Sequence, residues 1–264
     1  MKKNREKKQL NAVSIIYACL IYIFLYLPIL IVIIFSFNTS EMNIKFEGFT
    51  LSWYARMFDN TELMDAFKTT LIVAVASTGL SVFIGTISAF GMFKFKFRGK
   101  SVVDSLLYIP IVIPEIVLGI SLLAFFTALK IPMGLLTLII AHVTFCIPFV
   151  IITVRARLSG YDMSIEEASM DLGANQFRTF KRVTLPIIAP GVASGAMLAL
   201  TMSLDDVVVS FFTSGPDDMT LPIKIFGMVR KGVSPDVNAL CTIMILTTVL
   251  IMVTYKLIER NSEK

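Results

Sequence analysis

Three carboxylates, Glu115, Asp205 and Asp206, lie among long apolar runs. An ionised carboxylate at the depth of a bilayer costs on the order of 2.5–3.5 kcal/mol or more. Such groups persist where they face a wet cavity, pair with a neighbour or meet a cation, so the chemistry they offer is the binding of positive charge. Ser203, two residues before Asp205, adds a hydroxyl acceptor on or near the same helix face. Adjacent Asp205 and Asp206 project roughly 100° apart on a helix. One of them is therefore expected to face a pathway, the other to pair with a neighbouring subunit or backbone. The competing reading of the trio is structural: ion pairing between subunits, or packing in the protonated form.

Other reactive residue types are sparse. His142 is the only histidine, which excludes a His-based triad or a two-histidine metal site within the chain. Hydrogen bonding inside a helix bundle is its expected role. Cys19, Cys146 and Cys241 sit in apolar runs without CxxC spacing and read as small buried hydrophobes. Gly99-Lys100-Ser101 looks like the end of a phosphate-binding loop, but the glycine needed five positions upstream is Lys94. No nucleotide site is expected here.

The elements that carry these residues must be solvated by lipid. Of 264 residues, 56% are hydrophobic and 16% charged, with a mean hydropathy of +0.79, which rules out a soluble enzyme. Charge-free runs at Gln9–Ser40, Thr69–Phe93, Ile131–Val154, Val183–Leu204 and Val237–Tyr255 approach the ~20 residues that cross ~30 Å of hydrocarbon as a helix. Six spans are expected, at 12–37, 66–92, 105–128, 135–154, 187–212 and 237–258, within a membrane domain of residues 12–258. Pro110 and Pro114 bend the third, which Glu115 interrupts. The first resembles a secretory signal, but its length and the lack of a small-x-small site keep it as an uncleaved span.

Alternate loops differ in charge. The basic tail 1–11, segment 93–104, loop 155–186 and the C-terminal side, with tail 259–264 and Lys256, hold 17 Lys and Arg, against 6 in the other loops. The positive-inside rule therefore places both termini and loop 155–186 in the cytoplasm. The dispersed basic residues match anionic lipid headgroups, and no nucleic acid is needed to explain them.

Loop 155–186 is too short for a catalytic core but is patterned. Asp162 or Ser164 can cap a first short helix, and Gly173 can end it in the left-handed conformation. Asn175 can cap a second helix that runs to Pro186, where the fifth span begins. Met163, Met170, Leu172, Phe177 and Phe180 are many apolar groups for a free hairpin. Either they pack under the loop against helix ends, or some of them dock into a partner protein.

Glu167-Ala168-Ser169, three residues, Gly173, nine residues, then Val183-Thr184-Leu185-Pro186 resembles the EAA signature of membrane permeases of bacterial ABC importers. Ser169 and Val183 depart from it by replacing Ala and Ile. The resemblance implies an all-α membrane protein with the type I, MetI-like permease fold, whose loop is a coupling helix inserted into a separate cytoplasmic ATPase. It assigns Glu166, Glu167, Ala168, Ser169, Asp171, Leu172, Gly173, Leu185 and Pro186 to coupling, with Glu167 and Gly173 central and Ala168 small enough for close approach. ATP and Mg would belong to partner chains, with no cofactor and no catalysis in this one.

A narrower similarity runs through Gly48–Phe58, Ile109–Glu115, Ser203–Phe212 and Leu221–Ala239, segments that resemble permease subunits of spermidine/putrescine importers. It implies a second, homologous permease subunit, two ATPase subunits and an extracellular or periplasmic polyamine-binding protein, in the cytoplasmic (inner) membrane. Polyamines need spaced carboxylates for their ammonium ends and aromatic faces for their methylene chains. Glu115, Ser203, Asp205 and Asp206 supply the polar side. Trp53, the only tryptophan, is either a cargo contact or an interfacial belt residue. The alternatives are import of another solute, whether a different organic amine, a metal cation or an anion, and a channel or scaffold working without ATP. The last leaves the patterned loop unexplained.

Overall fold

A computed structural model describes residues 12–41, 45–228 and 234–262; the basic tail 1–11 and the end of tail 259–264 fall outside them. Every regular element among the described residues is helical, apart from one isolated bridge between Asn38 and Phe49. In chain order these are α1 (Ala12–Phe35), α2 (Ser52–Asp59), α3 (Thr61–Lys94), α4 (Lys100–Val112), α5 (Glu115–Ala128), α6 (Leu135–Leu158), α7 (Ser164–Asp171), α8 (Gln176–Thr179), a π-turn (Phe180–Thr184), α9 (Leu185–Asp205), α10 (Val208–Thr213), α11 (Leu221–Met228) and α12 (Pro235–Ser262). Ser14–Phe35, Thr61–Lys94, Leu135–Leu158 and Gln176–Asp205 are each long and apolar enough to cross a membrane.

Two expected spans take a different form. Over 105–128 there is no single rod: α4 and α5 meet at 108°. Pro110 and Pro114 give no N–H to a helical ladder, and Ile113, just before Pro114, is extended at φ −68, ψ 134. The fifth span begins earlier than 187 and breaks before 212. The second loop helix does not stop at Pro186; α8 runs through the π-turn into α9. There the Leu185 N–H bonds the Phe180 carbonyl, five residues back. The wider turn lets the chain pass Pro186, which has no N–H to donate. At the other end Asp206 turns extended, at ψ 125, before α10 begins.

The chain forms two compact units, residues 65–227 and the remainder. In the larger, α6 packs along α9 around Phe145, Cys146, Val150, Ile151, Ile188 and Ala199. A Cβ on Gly195 would lie 2.5 Å from Thr153 Oγ1 and 3.2 Å from the Val150 backbone, and one on Gly191 2.7 Å from Arg157 Cβ. Small residues let the two backbones approach closely, which drives helix association in lipid. Asp104 accepts from Arg155 at 2.5 Å, tying α4 to α6.

The other unit brings α1 and α2 onto α12, with Asn60 Nδ2 donating to Asp236 Oδ2 at 2.7 Å. The side chains of α1 from Ile15 to Leu30 face outward, as an apolar helix solvated by lipid requires. Trp53 is buried, and its indole N–H donates to the Asn38 carbonyl at 2.6 Å. The Asn38 side chain in turn holds the segment after α1, donating to the Lys45 carbonyl at 2.7 Å and accepting from the Glu47 N–H at 2.9 Å.

Candidate functional site

Both helix breaks open onto one cavity of about 380 Å³, within the ~300–1,000 Å³ typical of small-molecule sites. The α4–α5 break contributes Pro110, Ile113 and Glu115, the α9–α10 break contributes Asp205, Asp206 and Val207, and α6 adds Phe145 and Phe149. All three acids singled out from the sequence therefore line the same space. Glu115 opens α5. Asp205 ends α9, where the last carbonyls lack intrahelical partners and carry the negative end of the dipole. Unwound backbone and half-helix C-termini of this kind suit cations.

The two aspartates differ. Asp205 is exposed to the cavity, whereas the Asp206 side chain is 6% exposed. Asp206 accepts from the Ser210 N–H and hydroxyl, each at 2.7 Å, and from the Val209 N–H at 3.2 Å. One residue before the N-cap Val207, it satisfies two of the donors at the start of α10 and so does a cap's work from there. Glu115 and Asp205 have no ion pair or hydrogen bond to another side chain among the described residues.

Neither Ser203 nor Trp53 is among the residues lining this cavity. Ser203 is buried and turned away from the cavity, toward His142 Nδ1 at 2.7 Å and Ser77 Oγ at 3.1 Å, because a helix places residues 203 and 205 on different faces. Trp53 belongs to the other unit, where its amphipathic ring fills the packing around α2 and its one donor is spent on Asn38. The aromatic faces of the cavity are Phe145 and Phe149, neither of which was singled out from the sequence. Their i, i+4 spacing, with His142 three residues before Phe145, marks one face of α6 and was the available signal.

The loop forms a compact second site. Gly173 has φ +89, the left-handed end expected of it. Asn175 Oδ1 accepts from the Arg178 N–H at 2.8 Å, capping α8, and Asp162 Oδ1 accepts from the Ser164 N–H at 2.9 Å ahead of α7. That bond holds the Asp162 carboxyl below its usual range. Ser169 and Thr179 meet at 3.2 Å between α7 and α8.

Glu166, placed by resemblance in the coupling set, is 1% exposed and offers no outer surface. It accepts from Lys94 Nζ at 2.6 Å, Thr184 Oγ1 at 2.6 Å and Tyr161 Oη at 3.3 Å. Burial alone raises its pKa, but the Lys94 and Thr184 bonds outweigh that and hold it below the usual glutamate range. Burial, together with this carboxylate, pushes the Tyr161 hydroxyl up. Glu167, Ala168, Asp171, Leu172, Gly173 and Pro186 are exposed, and Ser169 and Leu185 half-buried.

The apolar residues of the loop divide. Phe180 packs against Phe90 with ring centroids 4.9 Å apart and planes tilted by 48°, and Met163 packs against the core, while Leu172 is 90% exposed and Phe177 74%. The packing reading holds for Phe180 and Met163, while Leu172 and Phe177 stand at the surface.

Residues 81–264 match the family described as "Binding-protein-dependent transport system inner membrane component". The chain is 43% identical to the spermidine/putrescine transport system permease protein PotC of Escherichia coli K12 over 92% of each chain. It is 39% identical to the putrescine transport system permease protein PotI of the same organism, over 85% of this chain and 82% of that one. A crystal structure of a bacterial ABC transporter that imports the acidic polysaccharide alginate aligns with a TM-score of 0.72 at 14% identity, covering 98% of this chain and 99% of that one. The inward-facing MetNI methionine ABC transporter aligns at 0.61 and 19%, covering 75% and 94%. The chain thus belongs to the family of binding-protein-dependent transport system inner membrane components, as an all-α, multi-pass permease with the MetI-like fold.

Proposed function

We propose that this permease subunit carries polyamines, spermidine or putrescine, across the cytoplasmic membrane as part of a binding-protein-dependent ABC importer. The observation that carries this reading is the cavity between two broken helices, which places Glu115 and Asp205 beside the C-terminal end of α9 and two phenylalanine rings. Carboxylates and carbonyl ends take ammonium groups, and aromatic faces take both methylene chain and cation. The similarity to PotC and PotI supports the same cargo, and the acids disfavour an anion.

The chain works in a six-span arrangement with both termini and loop 155–186 in the cytoplasm. It pairs with a PotB-like permease, two PotA-like ATPases and a PotD-like binding protein. ATP and Mg act on the ATPase subunits, and this chain makes and breaks no covalent bond. Exposed Leu172 and Phe177, together with exposed Glu167, Asp171 and Gly173 of the same loop, dock into the ATPase. Closure of the ATPase pair then moves the permease helices between outward and inward access.

The test is uptake of radiolabelled spermidine and putrescine by the reconstituted complex, with and without this subunit. Uptake that requires both the subunit and ATP supports the reading. Equal uptake without the subunit, or no polyamine uptake by an assembled complex with ATPase activity, rejects it.

A further inference from the structure

We propose that His142 is a positioning residue for the cavity: acting through Ser210, it holds the Asp206 carboxylate as a fixed negative charge at the α9–α10 break, leaving Asp205 and Glu115 to engage a cation. This rests on the cargo reading above. The His142 side chain is 1% exposed, and both ring nitrogens are used. Nδ1 lies 2.7 Å from Ser203 Oγ on α9 and Nε2 2.9 Å from Ser210 Oγ on α10. From α6 the ring thus bridges the two pieces of the broken helix.

Proton counting gives the chain a direction. A serine hydroxyl has one proton to donate. Ser210 gives its proton to Asp206 Oδ2 at 2.7 Å, so toward His142 it can only accept, and Nε2 carries the hydrogen. In the neutral ring Nδ1 is then an acceptor and Ser203 donates to it; the Ser77 hydroxyl lies 3.1 Å from Ser203 Oγ and 3.3 Å from the Ala74 carbonyl, which also accepts from it. Each bond from Ser203 through His142 and Ser210 is aimed toward the carboxylate, whose Oδ2 also lies 3.6 Å from Nε2. Without His142 the cap still has the backbone N–H groups of Val209 and Ser210, but the Ser210 hydroxyl is free to rotate away. The aim of the charge is lost while the helix start survives.

The experiment uses the complete complex in proteoliposomes, with radiolabelled spermidine. His142→Gln keeps an N–H near the Nε2 position, whereas His142→Leu and His142→Asn remove it. The latter two are expected to raise the KM for uptake about tenfold, the scale of one hydrogen bond to a charged group, with the maximal rate per assembled complex unchanged. His142→Gln stays close to the parent. Ser210→Ala reproduces the effect, and its combination with His142→Leu is no worse than either alone. Unchanged KM in His142→Leu and Ser210→Ala overturns the proposal, as does a loss confined to the amount of assembled complex.

A second readout does not depend on cargo. Val207 lines the cavity, and the Val207→Cys variant is modified with cationic and anionic methanethiosulfonates against the background of Cys19, Cys146 and Cys241. The cationic-to-anionic rate ratio falls when His142→Leu is added; an unchanged ratio overturns the proposal. If the parent complex does not move spermidine, the cargo reading fails and this ratio still decides the role of His142.

Discussion

Lys94 Nζ lies 2.6 Å from Glu166 Oε2, joining the last residue of α3 to the buried face of α7, with the carboxylate 1% exposed and the ammonium-bearing side chain 17%. Thr184 binds the same carboxylate from the π-turn that leads into α9. One acid therefore holds together the second long helix, the loop helix and the start of the fifth span. Lys94→Met strands a buried charge and is expected to cost about 3–5 kcal/mol, whereas Lys94→Met with Glu166→Leu recovers much of it. Thermal unfolding of the purified complex measures both; equal losses in the single and double variants would sink this account.

The same acid makes stability depend on pH. Its folded pKa lies below the ordinary value of 4.5, so its contribution is fully present above that value and is lost as pH falls through the folded one. The difference in melting temperature between the parent and Glu166→Gln should hold constant down to about pH 4.5 and shrink below it. A gap that persists at low pH argues that the pair is not the source.

Leu172 and Phe177 are 90% and 74% exposed and, among the described residues, lie outside the hydrophobic core cluster. Leu172→Ser and Phe177→Ser should weaken co-purification of the ATPase and lower uptake, with membrane insertion and melting of the permease unchanged. Gly173→Ala strains a left-handed residue by roughly 1–2 kcal/mol, although its Cβ meets open space. It should loosen α7 as well as docking, and limited proteolysis of loop 155–186 separates the two effects.

Asp205 and Asp206 should respond differently to the same change. Asp205→Asn is expected to raise the KM for polyamine uptake while assembly stays normal. Asp206→Asn should also reduce assembly, because both carboxylate oxygens accept N–H groups of the first turn of α10 and the amide NH2 would face one of them, leaving a donor unpaired at a cost of about 1–3 kcal/mol. Matching profiles for the two variants would contradict the division of roles.

Gly195→Leu should abolish accumulation of the permease in the membrane, since its Cβ would meet the Val150 backbone at 3.2 Å as well as Thr153 Oγ1 at 2.5 Å. Gly79→Leu, where nothing lies within 4 Å, should accumulate normally. Quantitative immunoblotting of membranes distinguishes them.

Much of this was readable along the chain because it depends on local physics. Charge-free runs announce helices in lipid, Gly173 announces a left-handed turn, and Asn175 announces a cap; each needs only a few residues and their own backbone. Pro110 and Pro114 announced a bend but not its 108°, since that angle is set by what the two pieces pack against. Pro186 looked like a helix start, and a π-turn instead carried the helix past it. The break after Asp205 carried no proline or glycine to signal it.

The sequence alone determined that lipid is the solvent, that three acids must answer for their place in it, and that loop 155–186 is structured. Only the tertiary structure decided which groups meet. It set Glu115 and Asp205 on one cavity, turned Asp206 into a cap, drew Ser203 and His142 into a buried chain, and sank Glu166 under the loop. Residues 51 or more positions apart are brought within hydrogen-bond distance in the Arg155–Asp104 and His142–Ser203 pairs. No local preference encodes such contacts; they follow from which helix faces the close-packed interior can accommodate together.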